Sequence, residues 1–251
     1  MWNGKTVSVV FPAYNEEPNI EAAIAEFQSV SYFEGDHVVD EILVVNNNSK
    51  DRTEELALAA GARVVREEKQ GYGNAMQRGL KEASSDFVVL CEPDGTFVAK
   101  DILKLLAYAE DFEMVFGTRT YPGMIWDEAN MKWFMRLGNY VVAKYMEFLY
   151  ATPSLSDCGC TFRLLHKSAV DAILPELFVE KSHFLPNVVI AARITRRHFV
   201  EVPLNYRGRV GESKITGTLW GAVKTGSAMA WLITRMWPAF VCRRLTGKAT
   251  R

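Results

Sequence analysis

Glu92 and Asp94 stand one residue apart where the apolar run Phe87-Val88-Val89-Leu90 gives way to Cys91-Glu92-Pro93-Asp94-Gly95. A buried strand ending in Glu-x-Asp projects carboxylate oxygens from the carboxyl edge of a sheet, the edge at which open α/β folds bind ligands. Hard oxygen donors suit Mg²⁺ or Mn²⁺, ions that commonly bridge a protein to a diphosphate. Two acids at a strand end also make an ordinary solvated turn, so the pair has to be weighed with the loops around it.

Three other polar loops follow apolar runs. Pro12-Ala13-Tyr14-Asn15-Glu16-Glu17 combines a rigid turn, an aromatic ring and carboxylates. Such a loop can stack a base and bond its polar edge or ribose, and the same residues can simply cap a helix. Asn46 to Thr53, with Asn46, Asn47 and Asn48 at its start, is dense in side-chain donors and acceptors. Lys69-Gln70-Gly71-Tyr72-Gly73 offers glycines for close backbone approach and a lysine for phosphate, although a lone Gly-x-Gly is weak evidence.

These loops need a sheet to hold them. Val7–Phe11, Ile42–Val45, Ala62–Val65, Phe87–Leu90 and Met114–Gly117 read as strands. Helices are expected after Glu16-Glu17-Pro18, over Thr53–Ala60, Gly71–Ala83 and Asp101–Tyr108. Strands alternating with helices predict an α/β fold: a Rossmann-like, mostly parallel sheet with helices on both faces. Beyond Arg119 the chain turns aromatic. Gly123 to Tyr150 reads as one or two amphipathic helices, Ser156–Leu165 as a loop running into a strand, Phe199–Tyr206 as a further strand, and 217–242 as a second aromatic-rich helix.

At 251 residues with 49% hydrophobic content the chain is long enough for one large folded domain. A net charge of −1 gives no general attraction to nucleic acid. Four cysteines make no disulfide framework in a chain of this size, and a strand beginning at Val7 leaves no room for a leader, so a cytoplasmic setting is expected. No stretch reaches the ~20 apolar residues of a spanning helix. Ala228 to Cys242 comes nearest and is interrupted by Arg235 and Pro238.

Taken in order, the motifs resemble the GT-A glycosyltransferases, specifically the inverting family-2 enzymes and, among them, the polyprenol-phosphate glycosyltransferases. The matching residues are Val7 to Glu17, Asn48-Ser49-Lys50-Asp51-Arg52-Thr53, Lys69-x-Gly71, Glu92-x-Asp94, Gly117-Thr118-Arg119 and Arg136-x-x-x-Asn139. Asp157, Thr161-Phe162-Arg163 and Arg209-x-Gly211-Glu212-Ser213-Lys214 complete the series. The resemblance implies a nucleoside-diphosphate sugar donor, a divalent metal and a lipid phosphate acceptor such as a dolichyl or undecaprenyl phosphate. It implies that Pro12, Ala13, Tyr14, Glu16, Asn46, Asn48, Lys69 and Gly71 bind the donor, with Glu92 and Asp94 on the metal. Arg209 and Lys214 would close over the diphosphate, and Arg119, Arg136, Asn139 and Arg163 would hold the acceptor phosphate. Asp157 would stand near the sugar.

Chemistry agrees with that division. A lipid phosphate is already anionic and needs no strong general base, but it needs cations to approach an anionic donor, and the leaving diphosphate needs a metal and cations. Three positions depart from the family pattern: Glu92 replaces the usual aspartate, Thr96 stands where many relatives have glutamine, and Asn46 or Asn47 replaces a common aspartate. Residues 1–216 are expected to form the catalytic domain, and 217–251 an amphipathic, basic flank packed on it or on the membrane. Trp220, Trp231 and Trp237 with Lys224 and Arg235 predict peripheral contact with the cytoplasmic leaflet, and these helices could instead pair two copies of the chain. Two other functions fit less well. One is a soluble transferase using Asp157 as base toward a sugar or protein hydroxyl; the other is a non-catalytic nucleotide-sugar binder.

Overall fold

The computed structural model describes residues 1–33, 36–129, 133–210 and 219–246. Its centre is a seven-stranded sheet of β1 (Val7–Ala13), β2 (Glu41–Asn46), β3 (Arg63–Arg66), β4 (Phe87–Leu90), β5 (Met114–Thr118), β6 (Arg163–His166) and β7 (Phe199–Pro203). The order across the sheet is β3-β2-β1-β4-β6-β5-β7. Apolar residues in consecutive positions mark strands buried on both faces. Thus Val9, Phe11, Val44 and Val89 enter one core, and Val10, Leu43, Val45 and Val88 the other.

The first half follows expectation. Helices α1 (Ile20–Gln28), α2 (Thr53–Ala59), α3 (Tyr72–Glu82) and α4 (Ile102–Tyr108) alternate with parallel strands β1 to β4. The sheet is mostly parallel, as expected; the exception is β6, which is antiparallel to both β4 and β5. The reason lies in the connection. Between Thr118 and Arg163 the chain leaves and re-enters at the carboxyl edge, because Arg163 pairs with Leu90 and Phe116 there. A strand that enters at that edge has to run the opposite way.

Helix α5 (Trp133–Tyr150) occupies much of that connection, and α6 (Lys167–Ile173), α7 (Phe184–Ile194) and α8 (Leu219–Thr246) follow. Helix α7 went unforeseen. Every residue from Phe184 to Ala192 is buried, so the segment lacks the one-sided pattern that reveals a surface helix. It packs against α8 and contributes to the core shared by α3, α5 and α8. Met229, Leu232, Ile233 and Phe240 of α8 point into that core, and Tyr150 Oη donates to the Ile233 carbonyl at 2.8 Å. No helix among the described residues is long and apolar enough to cross a membrane.

Candidate functional site

Inserting β6 between β4 and β5 determines what meets at the carboxyl edge. The loop entering β6 is carried beside the ends of both neighbours, so Thr161 reaches Glu92 after β4 and Asp157 reaches Arg119 after β5. Thr161 Oγ1 donates to Glu92 Oε1 at 3.0 Å. Arg119 grips Asp157 with two bonds, Nε to Oδ2 at 2.8 Å and Nη2 to Oδ1 at 3.0 Å.

Asp94 is 2% exposed. Its Oδ1 accepts from the Thr96 N–H at 3.0 Å and from Thr96 Oγ1 at 2.6 Å, a local turn closed by its own hydroxyl. Its Oδ2 faces the Arg209 guanidinium, which also meets Glu92 Oε2 at 3.2 Å. Burial, and then the charge of Asp94, raise the Glu92 carboxyl above its ordinary value, against the pull of Arg209. The cleft therefore holds more negative charge than Arg209 neutralises, with two hard carboxylates converging. That donor set fits Mg²⁺ or Mn²⁺. Among the described residues no third acid, histidine or cysteine completes a metal cluster, so an ion here would take its other oxygens from diphosphate and water, as Mg²⁺ commonly does.

Arg209 is delivered by the segment after β7. Arg207 donates to Glu26, to the Gly95 carbonyl at 3.1 Å and to the Phe97 carbonyl at 2.7 Å. Asn205 bonds Asp101, and the Val210 N–H donates to the Asp94 carbonyl at 3.1 Å. Arg209 therefore arrives from a backbone bolted across Gly95–Asp101. Lys214 lies outside the described residues.

On the donor side, the loops after β1 and β2 are laced together. Asn15 N–H donates to Ser49 Oγ at 3.0 Å, Glu16 N–H to Thr53 Oγ1 at 2.8 Å, and Lys50 N–H to Asn15 Oδ1 at 2.8 Å. Pro12 and Ala13 close β1 beneath them, and Tyr14 is exposed at the rim. Asn46 accepts from Ser49 N–H at 2.9 Å and donates to Glu54 at 2.5 Å; with Asn48, Ser49, Glu54, Arg66 and Glu68 it lines an open depression. Asn47 is different. It donates to the Glu67 and Lys69 carbonyls and accepts from the Gly71 N–H at 2.8 Å, so its amide is fully engaged in tying β2 to the chain entering α3.

That last bond changes the role of Gly71. Its N–H is given to Asn47 and that of Gly73 to the Glu180 carbonyl, so neither is left for phosphate. Gly71 has φ 148°, and a Cβ there would meet the Glu180 carbonyl oxygen at 2.4 Å. The glycines permit close packing of α3 on residues 179–180 rather than approach to a ligand. A Cβ on Gly73 would stand 2.0 Å from the Val179 carbonyl oxygen. Gly73→Ala is accordingly expected to destabilise the fold by about 1–3 kcal/mol, read as a shifted urea midpoint with unchanged slope. Lys69 forms an exposed pair with Glu180, a contact cheap to exchange.

The four residues assigned to the acceptor separate into distinct environments. Arg163 is a correction: it is fully buried, donating to the carbonyls of Cys160 at 2.8 Å, Cys158 at 2.8 Å and Leu185 at 3.1 Å, with its guanidinium over Phe116. It shapes the 158–160 loop from beneath and does not reach the cleft. Arg119 is engaged by Asp157. Arg136, on α5, offers one long bond to the Thr120 carbonyl at 3.4 Å, its Nε is buried without a hydrogen-bond partner, and it makes no ion pair among the described residues. A methyl group placed on Gly159 would lie 3.5 Å from Arg119 Nη2, Asn139 Oδ1 and Asp157 Oδ1 alike, so these three side chains surround one point.

Asp157 is also a correction to the general-base alternative. Burial alone would raise its carboxyl; the charge and bonds of Arg119, with the Arg119 and Gly159 N–H groups, outweigh that and hold it below its ordinary value. A carboxylate so held is a poor proton acceptor. Sequence reasoning missed Glu201, whose Oε2 accepts from the Ser156 N–H and hydroxyl and whose Oε1 accepts from the Asp157 N–H at 2.9 Å. A lone glutamate within a strand pattern carries no sign of that task. Thr96, which stands where many relatives have glutamine, closes an Asp-x-Thr turn that the sequence signals.

Residues 8–174 match the model of the family described as glycosyl transferase family 2. An uncharacterized glycosyltransferase of Mycobacterium bovis is 30% identical over 224 residues, covering 88% of this chain and 94% of that one. A dolichyl-phosphate hexose transferase of Haloferax volcanii is 27% identical, covering 86% and 89%. Among solved structures, glucosyl-3-phosphoglycerate synthase from Mycobacterium tuberculosis, in complex with Mn²⁺, UDP and glucosyl-3-phosphoglycerate, superimposes with a TM-score of 0.68 at 22% identity, covering 92% of this chain and 80% of that one. That likeness establishes the GT-A-like fold.

Proposed function

The chain belongs to glycosyl transferase family 2, and from that premise we propose that it transfers a sugar, with inversion, from a nucleoside-diphosphate sugar to a polyprenyl phosphate at a membrane surface. The observation that carries the acceptor class is the partition of charge in the cleft. Asp157 faces Arg119, Glu92 and Asp94 face Arg209, and Glu201 is occupied by two backbone N–H groups. Asp157 is held too low to serve as a base, Glu92 and Asp94 are turned onto Arg209, and Glu201 onto the Ser156–Asp157 backbone. Arg136 is a cation with an unpartnered Nε. A nucleophile that arrives already ionised and needs a cation suits this arrangement; a neutral alcohol does not.

Glu92 and Asp94 would hold a divalent ion, which when bound neutralises the diphosphate as it leaves. Arg209, now on those carboxylates, is long enough to offer its fork to phosphate oxygens instead. Asp157 keeps Arg119 in one orientation at the acceptor end, and Asn139 adds a neutral donor there. Pro12, Ala13, Tyr14, Glu16, Asn46 and Asn48 would position the nucleoside, with Lys69 near the phosphates.

The lipid reading is supported by the outer faces of two helices. Trp133, Leu137, Tyr140, Val141 and Phe148 are exposed on α5, and Trp220, Val223 and Trp231 on α8. Arg235 lies over the Trp231 ring. Since Arg136 and Asn139 are on α5, acceptor headgroup and membrane contact would share one element. The relative from Haloferax volcanii carries the same acceptor class in its name.

Incubating the purified protein with UDP- and GDP-sugars, Mn²⁺ or Mg²⁺, and a short polyprenyl phosphate should yield a glycosyl phospholipid. Turnover of 3-phosphoglycerate with none of the lipid phosphate would overturn the acceptor assignment. Replacing Trp220 and Trp231 by serine should lower partitioning onto anionic vesicles by about tenfold per residue, from the apolar area each would bury. Trp237 is a poorer probe because its Nε1 donates to the Leu149 carbonyl within the fold.

A further inference from the structure

Glu92 reaches one methylene further than an aspartate, so its carboxylate has one more torsion to fix before it can serve a ligand. Thr161 Oγ1 donates to Glu92 Oε1 at 3.0 Å, and Tyr72 Oη lies 2.8 Å from the same Thr161 oxygen. A hydroxyl has one proton; with that proton on Glu92, Thr161 accepts from Tyr72. With Glu92 ionised, as a ligand to a cation has to be, the direction therefore runs from Tyr72 to Thr161 to Glu92. Both ends are anchored. Thr161 is 2% exposed and follows Cys160, whose carbonyl is held by the buried Arg163. Tyr72 begins α3 directly after Gly71, whose N–H is held by Asn47.

We propose that Thr161, backed by Tyr72, is a positioning residue for Glu92. It fixes Oε1 and so leaves Oε2 on the side of Arg209, which Asp94 Oδ2 also faces, preparing the longer acid for a divalent cation. This rests on the metal reading given above. Partners that orient a metal-binding carboxylate typically change metal affinity 10- to 100-fold when removed.

Mn²⁺ titration of the full chain, with and without UDP and followed by electron paramagnetic resonance, tests it. Thr161→Val should weaken Mn²⁺ binding by about 10- to 100-fold, with Thr161→Ala as a second removal variant, while Thr161→Ser retains the hydroxyl and stays within about threefold of the parent. In a Glu92→Asp background, where the shorter acid falls short of Thr161, Thr161→Val should change affinity little; a Thr161 with a merely structural role would weaken both backgrounds equally. Asp94→Asn separates the two readings. If it leaves Mn²⁺ affinity unchanged, the metal site is misplaced. If it abolishes binding while Thr161→Val and Thr161→Ala bind like the parent, the positioning role is wrong.

Discussion

Asp94→Asn should reduce sugar transfer by on the order of 10²–10³-fold or more while the protein still unfolds cooperatively near the parent midpoint. The substitution keeps Oδ1, which accepts from the Thr96 N–H and hydroxyl, so the Pro93–Thr96 turn retains both of its bonds. What changes is the second oxygen. In place of an anionic Oδ2 facing Arg209, the variant presents an amide that cannot bind a hard cation as a carboxylate does. Loss of charge stabilisation on a leaving diphosphate is worth several kcal/mol, and each 1.36 kcal/mol is tenfold in rate. The measurement is the initial transfer rate at saturating donor and Mn²⁺, beside a thermal melt. A rate within about threefold of the parent would refute the assignment of Asp94.

The place of Asp94 at a strand end was legible because the features that mark it are local: an apolar strand, an acid, a turn. The same holds for β1 to β4, where each strand is followed by its own helix. Legibility ended where partners are distant in the chain. Glu92 and Thr161 are 69 residues apart, and Tyr72 and Thr161 are 89 apart. They meet because β6 inserts antiparallel between β4 and β5, a topology that no period in the sequence announces. Arg163 illustrates the same limit from the other side. As a letter it is one more cation in Thr161-Phe162-Arg163; in the fold it is buried over Phe116, with three carbonyls for partners. Helix α7 was unreadable for a related reason, since burial on all sides erases the polar face from which a helix is recognised.

The second large effect concerns the Arg119–Asp157 pair, where stability and chemistry can be told apart. Asp157 is buried, and Arg119 is largely buried with it. Asp157→Asn leaves that guanidinium without its counter-charge, and breaking such a pair costs about 3–5 kcal/mol. A general base at this position predicts the opposite pattern: activity lost, stability kept. Removing both charges with Arg119→Met and Asp157→Leu should recover only part of the stability: the attraction between two buried charges roughly offsets their desolvation, but the Arg119 and Gly159 N–H groups lose their acceptor. The pH dependence has a definite sign. The folded Asp157 carboxyl is held below its ordinary value of 3.8, so the pair's contribution is fully present above that pH and disappears as pH falls through the lower, folded value. The stability difference between parent and Asp157→Asn should therefore be flat from about pH 5 upward and shrink only in stronger acid. Urea denaturation of both proteins across that range is the test. A variant as stable as the parent at neutral pH would show that Arg119 does not depend on Asp157, and the carboxylate would then be free for another task.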